Sequence, residues 1–405
     1  MSPSSTVAEL ERLYHEVVLQ QDFYGKTYGF DWQPQPYEEM ARLLAGVLAP
    51  RRHVDVGCGK GFLVSAMRRL GIESFGVDYS EALIAQSPAD VRPYLRVAST
   101  EESIMDSTLA RCDLITYMEV FEHLPISICE EVLKTLRIVF SGKLVITTPS
   151  FGLDERWAFG ISTNDQTPTW RRDMAANRPF TQIVLKDGLP HHGHISLCSY
   201  RWWTEFFLFH GWNRARDLEG RAAQDFRPTI IRHNWNPYIL EPLPPADLEL
   251  APLTDVRLGP GWHGPESFRE GHEGRWTNGM GQVYLDFGAS RIKAVAIELS
   301  APDVNVIRDF NLTIIVEQQI LQSDYQLLWI ADAVSSPVRI EHRATPLCLE
   351  IPLLALEKAK VAEGSSFGGL RLSLLSPTFC PHDYKLSVDQ RTLGLFIHKI
   401  TVLVA

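Results

Sequence analysis

Two carboxylates and a histidine follow an apolar run in residues 117–125, which read YMEVFEHLP. Glu119, Glu122 and His123 stand at positions i, i+3 and i+4, so a single helical turn would place all three on one face. Three interpretations are open. The residues are ordinary ones at a helix start, where carboxylates are favourable; or His123 is a general base for an acceptor hydroxyl; or the three bind a divalent cation together with a fourth ligand.

A candidate for that fourth ligand lies about 70 residues further on, in GLPHHGHISLCSYRWWTEFFLFHGW. Its histidines His191, His192 and His194 precede an aromatic-rich segment that is predicted to be helical. A mixed set of carboxylate oxygens and imidazole nitrogens suits magnesium or manganese better than a structural zinc. Such a cation would lower the pKa of a hydroxyl group and make it a nucleophile at neutral pH.

A glycine-rich turn precedes both segments. Residues 53–63 read HVDVGCGKGFL, in which an apolar strand runs into Gly57, Gly59 and Gly61 and then opens a helix. Glycines let the backbone turn sharply and approach a ligand closely. Asp78, in FGVDYS, ends the next strand at the spacing where an acidic residue accepts both hydroxyls of an adenosine ribose. A nicotinamide-binding domain is disfavoured, because the loop is GxGxG and not GxGxxG.

The elements that must position these residues alternate between strand and helix. Strands are predicted at 52–56, 74–77, 94–98, 114–118 and 143–148, and helices at 61–70, 82–86 and 126–140. This alternation predicts an α/β fold with a doubly wound parallel sheet and helices on both faces. Because ligands bind at the carboxyl edge of such sheets, Glu119, Glu122 and His123 are expected to project into the active-site crevice.

After about residue 240 the pattern changes. EPLPPADLELAPL is a predicted linker, and it is followed by short period-2 runs such as QVYLDF, KAVAIELS and LRLSLL. These runs predict an all-β sandwich whose two sheets share a core. We therefore expect two domains, residues 1–245 and residues 246–405.

Composition limits the classes of partner. The 405-residue chain has a formal net charge of -10, which disfavours a nucleic-acid partner because that would require a basic face. Six scattered cysteines form no CxxC pair, and no apolar run approaches the ~20 residues of a membrane span. No signal peptide is predicted. We expect a soluble cytoplasmic protein, with homo-oligomerisation left open.

Four motifs stand in register over residues 50–150: VDVGCGKGF, GVDYS, DLITYMEVFEHLP and LVITTP. Together they resemble the successive motifs of class I S-adenosylmethionine (SAM)-dependent methyltransferases. The resemblance implies that the glycines line the methionine and ribose, Asp55 lies near the SAM amino group, Asp78 binds the ribose, and RVASTEES contacts the adenine. Family members often carry Asp where this chain has Ser99. The implied cofactor-binding residues are Asp55, Gly57, Cys58, Gly59, Gly61, Asp78, Tyr79, Ser99, Thr100 and Met118.

The ExxEH segment followed by HxxH is similar to the small-RNA 3′-terminal 2′-O-methyltransferases, and the ubiquinone-pathway O-methyltransferases share a near-identical MEVLEHV stretch. The first resemblance implies that Glu119, Glu122, His123 and His194 bind magnesium or manganese, with His191 in reserve as the fourth ligand. Catalytic histidines would then be His123, His191 and His194. The segment DFYGKTYGFDWQPQPYEEM is expected to form a lid, in which Tyr24, Tyr28 and Trp32 either stack on a sugar or pack in the core.

The second half resembles a β-sandwich module of bacterial enzymes that assemble surface polysaccharides, in the stretches LGPGWHGPESFREGHEGRWTNGMGQVYLDF and DQRTLGLFIHKITVL. Trp262 and Trp276, expected to be exposed, are candidates for stacking on carbohydrate; a structural role and a dimer contact are the alternatives. The expected function is O-methylation of a sugar hydroxyl in a nucleotide-sugar or a surface glycan. Alternatives are a metal-independent small-molecule O-methyltransferase with a histidine base, an RNA 3′-terminal 2′-O-methyltransferase, and a catalytically silent binding module.

Overall fold

The structure is a computed structural model of the chain. It describes residues 11–23, 33–104, 111–151, 169–180, 185–186, 189–190, 193–229, 237–243, 249–250, 257–268, 272–285, 292–300, 310–340, 346–355, 365–383 and 389–404. The chain divides into two compact units. The first comprises Met1–Pro242 with Asp324–Leu327, and the second comprises Leu243–Ser323 with Leu328–Ala405.

The first unit alternates strands and helices, as the sequence predicts. Its helices include Gln35–Leu48 (α1), Phe62–Arg69 (α2), Glu81–Ala85 (α3), Thr100–Ile104 (α4), Ile126–Val139 (α5), Thr169–Ala175 (α6), Tyr200–Phe209 (α7) and Arg216–Asp225 (α8), with a π-helix at Tyr14–Leu19 and 3-10 turns at Arg92–Tyr94 and Phe121–His123. Its strands include Arg52–Val56 (β1), Glu73–Asp78 (β2), Leu95–Val97 (β3), Leu114–Met118 (β4), Lys143–Thr147 (β5), Ser150–Phe151 (β6), Leu185–Lys186 (β7), Leu189–Pro190 (β8), Cys198–Ser199 (β9), Trp212–Arg214 (β10) and Pro237–Pro242 (β11).

A single, mainly parallel sheet organises these elements. Its strand order is β10-β11-β5-β4-β1-β2-β3. Strands β1 to β5 pair in parallel, while β11 runs antiparallel to both of its neighbours, β5 and β10. The chain extends the sheet in one direction from β1 to β3 and in the other direction from β4 to β5. The carboxyl ends of β1 and β4 therefore flank the switch point at which open α/β sheets bind their ligands.

Helices cover both faces of this sheet. On one face, α1, α2 and α8 pack against residues of β4, β5 and β11 in a core that includes Met40, Met67 and Val145. On the other face, aromatic side chains of α7 meet the sheet, with the rings of Phe207 and Tyr238 centred 5.2 Å apart. The predicted doubly wound architecture is confirmed. Strand β11 corrects the predicted linker, because Glu241 and Pro242 belong to the sheet of the first unit.

The second unit is built from antiparallel strands. Its strands include Glu249–Leu250 (β12), Trp262–Phe268 (β13), His272–Thr277 (β14), Met280–Leu285 (β15), Ile292–Ser300 (β16), Phe310–Leu321 (β17), Leu327–Val334 (β18, whose first residue belongs to the first unit), Val338–Ile340 (β19), Leu347–Pro352 (β20), Leu354–Ala355 (β21), Ser366–Leu375 (β22) and Phe396–Val404 (β23). One sheet has the order β13-β14-β23-β16-β20, with β12 also paired to β23. The other has the order β15-β22-β17-β18-β21, with β19 also paired to β17.

The two sheets share one apolar core, as predicted from the period-2 runs. Val295 and Ile297 of the first sheet belong to the same buried cluster as Ile314 and Leu372 of the second. The prediction that Trp262 and Trp276 are exposed is wrong. Trp276 is 4% exposed and buried in a small cluster with Phe379, Leu393 and Phe396. Trp262 is half-buried, and its indole N–H donates to the Gln282 carbonyl at 2.8 Å. Trp276 is therefore a core residue rather than a carbohydrate platform.

Among the described residues, no helix combines the length and the apolar character that crossing a membrane requires.

Candidate functional site

The glycine turn forms at the carboxyl end of β1. Gly57, Gly59 and Gly61 all have positive φ, at 76°, 53° and 72°. A Cβ at Gly57 would stand 2.5 Å from a methyl of Val120, so the turn requires glycine for both conformation and space. The N–H groups of Gly57 and Cys58 donate to the Val77 carbonyl at 2.8 and 3.0 Å. These bonds fix the turn against the end of β2, immediately before α2.

Asp78 lies at the end of β2 beside this turn. The Gly59 N–H donates to one carboxylate oxygen at 2.7 Å, and the Ser80 N–H donates to the other at 2.8 Å. The side chain is 6% exposed; burial raises its pKa to about 6, and the two backbone hydrogen bonds oppose that rise. Each carboxylate oxygen can accept a second hydrogen bond. The sequence prediction that Asp78 binds a ribose is compatible with this arrangement and stays a prediction.

Asp55 and Met118 lie at the carboxyl ends of the neighbouring strands β1 and β4. Asp55 is 2% exposed and accepts a 2.6 Å hydrogen bond from the Thr116 hydroxyl. Burial raises its pKa to about 7, against the lowering effect of the Thr116 bond. The phenol of Tyr37, on α1, is close enough to Asp55 and Glu119 that both carboxylates raise its pKa, in addition to the larger effect of burial. These groups form a polar wall beside the glycine turn.

Two of the predicted cofactor residues have mainly structural contacts. The thiol of Cys58 packs with Val64 and Val91, and burial raises its pKa. Ser99 and Glu102 form a reciprocal pair at the start of α4: the Ser99 N–H donates to the Glu102 carboxylate at 2.9 Å, and the Glu102 N–H donates to the Ser99 hydroxyl at 3.2 Å. This is a capping box.

The segment around α4 contains a carboxylate that the sequence did not single out. One oxygen of Glu101 is buried and has no hydrogen-bond partner within the described part of the chain. Burial raises the pKa of Tyr14, and the nearby Glu101 and Tyr79 raise it further. Tyr79 follows Asp78, so Glu101 belongs to the surroundings of the predicted adenosine site. The sequence could not single out Glu101, because it is one of two acids in the run TEES and no motif marks it.

The segment YMEVFEHLP departs from a single helical turn. Glu119 has a positive φ of 55°, and its N–H donates to both the carbonyl and the hydroxyl of Thr147 at 3.0 Å. Residues Phe121–His123 then form a 3-10 turn. Glu119 is exposed, whereas Glu122 is fully buried. The left-handed residue redirects the chain, so the two carboxylates do not follow one helical face.

Glu122 is a buried carboxylate without a conventional partner. Its exposure is 0%, and neither carboxylate oxygen has a hydrogen-bond partner among the residues that the structure describes. Burial, and next the nearby carboxylate of Glu119, raise the pKa of Glu122 well above its usual range. An ionised carboxylate in such a place costs free energy unless a cation or a donor neutralises it.

Two imidazoles lie beside Glu122. The Nε2 atom of His123 is 3.8 Å from a Glu122 oxygen, and the rings of His123 and His194 are centred 5.0 Å apart. The Nδ1 atom of His123 is 3.2 Å from the Gly193 carbonyl. Because a carbonyl only accepts, Nδ1 carries the proton in this bond, and Nε2 is the nitrogen that faces Glu122.

The backbone brings His194 to this position across 70 residues of sequence. The N–H groups of Ile195 and Ser196 donate to the Glu122 carbonyl at 2.6 and 2.9 Å, and the Ser196 hydroxyl donates to the Leu124 carbonyl at 2.5 Å. These bonds hold the segment from residue 193 to residue 196 against the turn that carries Glu122 and His123.

Three predicted ligands therefore converge. One ligand atom each from Glu122, His123 and His194 lie within 4.8 Å of one another. The orphaned carboxylate and the two imidazoles fit a divalent cation. Two nitrogens and one oxygen favour manganese over magnesium, which prefers an all-oxygen environment. Glu119 stands outside this group of three, and His191, Tyr24, Tyr28 and Trp32 lie outside the described residues.

A family model matches part of the first unit, and curated relatives match part of the chain. A family model described as a methyltransferase domain matches residues 32–212. The chain is 39% identical over 82 residues to the ubiquinone biosynthesis O-methyltransferase of Methylococcus capsulatus, covering 19% of this chain and 35% of that protein. It is 36% identical over 100 residues to the enzyme of the same description from Alkalilimnicola ehrlichii, covering 24% and 40%.

Among solved structures, a SAM-dependent methyltransferase from Archaeoglobus fulgidus is 23% identical, covering 30% of this chain and 55% of that chain, with a TM-score of 0.27. The chain spans 35% and 40% of the lengths of the two curated relatives named above. The first unit has a Rossmann-like α/β fold, followed by antiparallel β-sheets, and the predicted fold class is confirmed. The matching family model is described as a methyltransferase domain, and both curated relatives are described as O-methyltransferases.

Proposed function

We propose that the protein is a SAM-dependent O-methyltransferase that binds a divalent cation through Glu122, His123 and His194 and methylates a sugar hydroxyl. The observation that carries this proposal is the fully buried Glu122 carboxylate, which has no hydrogen-bond partner among the residues that the structure describes and lies beside two imidazoles. A cation at this position would lower the pKa of an acceptor hydroxyl and favour its attack on the SAM methyl group.

The chain's own residues divide into two groups in this proposal. The glycine turn and Asp78 hold the adenosine part of SAM, with the Gly59 N–H keeping the carboxylate in place. Asp55 faces the ammonium of the methionine part. Glu122, His123 and His194 lie just past the carboxyl end of β4, next to β1 in the sheet, so an acceptor bound there would stand beside the glycine turn. Glu119, which the sequence also predicts as a ligand, lies outside this group of three.

The acceptor class rests on the vicinal hydroxyls of sugars, which offer two oxygens to one cation. The sandwich unit supports a glycan or nucleotide-sugar acceptor through its resemblance to modules of polysaccharide-assembling enzymes. An RNA 3′ end is disfavoured by the net charge of -10. The names of the curated relatives support a small-molecule acceptor as an alternative.

A second mechanism is favoured by one specific observation. The Nδ1 atom of His123 is 3.2 Å from the Gly193 carbonyl, and Nε2 faces Glu122 at 3.8 Å, so Nε2 is the nitrogen that would take a proton. In this alternative His123 is the general base for the acceptor hydroxyl, and Glu122 stabilises the imidazolium that forms.

Titration of SAM and of manganese into the full chain tests the proposal, together with methyl transfer measured with and without EDTA. Glu122→Gln should weaken manganese binding at least tenfold and abolish transfer while SAM affinity stays within twofold. Glu131→Gln, at an exposed position on α5, is the matched control and should change neither. Undiminished transfer in EDTA would end the metal proposal. If His123→Ala then abolished transfer, the histidine base would stand.

A further inference from the structure

A row of polar side chains crosses the buried face of the sheet beneath α1. His53 and Asp55 are alternate residues of β1, so both point to the same face. The strand register places His53 opposite Ser74 on β2 and Asp55 opposite Thr116 on β4. All four side chains are buried. Buried polar groups are costly unless they are hydrogen-bonded, so each member of this row needs a partner.

The four side chains form one continuous chain of hydrogen bonds. Ser74 Oγ is 2.8 Å from His53 Nδ1, His53 Nε2 is 2.8 Å from Thr116 Oγ1, and Thr116 Oγ1 is 2.6 Å from Asp55 Oδ1.

An ionised Asp55 fixes the direction of every bond in this chain. The Thr116 hydroxyl must donate to the carboxylate, so its oxygen is left to accept from the Nε2–H of His53. The Nδ1 atom of His53 then accepts from Ser74. Burial lowers the pKa of His53 to about 3, so the imidazole is neutral at pH 7, as this arrangement requires.

The chain of hydrogen bonds ends at the predicted cofactor pocket. Asp55 lies two residues before Gly57, at the carboxyl edge of β1, and the phenol of Tyr37 is nearby. Only one oxygen of Asp55, Oδ1, takes part in the bond to Thr116. Hydrogen bonds in series polarise one another, so the imidazole strengthens the Thr116–Asp55 bond. His53 thus restrains the carboxylate without reaching the pocket itself.

We propose that His53 is a positioning residue for the cofactor: acting through Thr116, it orients the Asp55 carboxylate toward the ammonium group of the SAM methionine moiety. This inference rests on the proposed function, because it uses the assignment of Asp55 to the cofactor. Ser74 holds the imidazole in the required tautomer.

Two probes separate positioning from general structural damage. S-adenosylhomocysteine carries the amino-acid ammonium, whereas 5′-methylthioadenosine keeps the adenosine and lacks the amino-acid part. Both are titrated calorimetrically into the full chain. His53→Leu should weaken S-adenosylhomocysteine binding about tenfold and change 5′-methylthioadenosine binding less than twofold. His53→Gln, whose amide N–H can replace Nε2–H, should restore S-adenosylhomocysteine affinity to within threefold of the wild type.

Thr116→Val removes the hydroxyl at nearly constant volume and carries the same test if His53→Leu does not fold. An equal loss for both probes, or no loss for either, would overturn the positioning role while leaving the proposed function intact. A wild-type chain that binds neither probe would overturn the cofactor assignment itself, and the positioning role with it.

Discussion

Replacing Asp55 with asparagine should change how the stability of the ligand-free chain depends on pH. Asp55 is 2% exposed, and burial raises its pKa from 3.8 to about 7. A carboxyl group with a raised folded-state pKa contributes stability that is fully present below pH 3.8 and is lost as the pH rises through 7. Asparagine has nearly the same shape, still accepts from Thr116 through its carbonyl oxygen, and does not ionise.

The expected size follows from the two pKa values. The folded and unfolded values, about 7 and 3.8, differ by roughly 3, and each such unit corresponds to about 1.4 kcal/mol, which gives about 4 kcal/mol. The free energy of unfolding of Asp55→Asn, minus that of the wild type, should therefore rise by about 4 kcal/mol between pH 4 and pH 8. Neighbouring titrating groups, which include Asp78, Tyr37 and His53, are present in both proteins and largely cancel.

Urea unfolding followed by tryptophan fluorescence at several pH values measures this difference. Asp90→Asn, at an exposed position in the same unit, is the matched control for replacing a carboxyl group by an amide. If the difference in unfolding free energy between Asp55→Asn and the wild type did not change with pH, the reasoning would be refuted. Asp55 would then ionise in the folded chain as readily as in water.

Three further outcomes are expected. Asp78→Asn should weaken SAM binding by about 1–3 kcal/mol in a titration, because a charged acceptor for the ribose hydroxyls is lost; unchanged affinity would mean that the ribose binds elsewhere. In thermal unfolding, Gly57→Ala should lower the stability of the first unit by about 1–3 kcal/mol more than Gly71→Ala does. Both glycines have positive φ, but only at Gly57 would the new Cβ meet Val120, at 2.5 Å. Trp276→Ala should destabilise the second unit by about 3–5 kcal/mol in urea unfolding; a near-neutral effect would contradict its burial.

Local sequence determined the strands and the glycine turn. The predicted strands 52–56 and 114–118 coincide with Arg52–Val56 and Leu114–Met118. Short apolar runs bounded by turn residues define such strands without reference to distant parts of the chain. The same holds for the period-2 runs of the second unit, whose alternation matches a sheet with one buried face.

Tertiary structure decided which of these residues meet. No local sequence pattern predicts the left-handed backbone conformation of Glu119. In the fold, its N–H donates to Thr147 of the adjacent strand. His53 reads as one residue of an apolar strand, and its bonds to Ser74 and Thr116 exist only because β2 and β4 flank β1. Trp276 looks like a surface aromatic beside glycines and charges, yet it is buried by Phe379 and Phe396, more than 100 residues away.

The candidate cation site shows the same division. Sequence placed Glu122 and His123 together because adjacent residues share a turn, and resemblance suggested His194. Only the folded chain brings His194 within reach of them, through backbone hydrogen bonds from residues 195 and 196 to the Glu122 carbonyl. Residue spacing specifies contacts within one element, whereas contacts across 70 residues depend on strand order and loop docking, which local propensity does not encode.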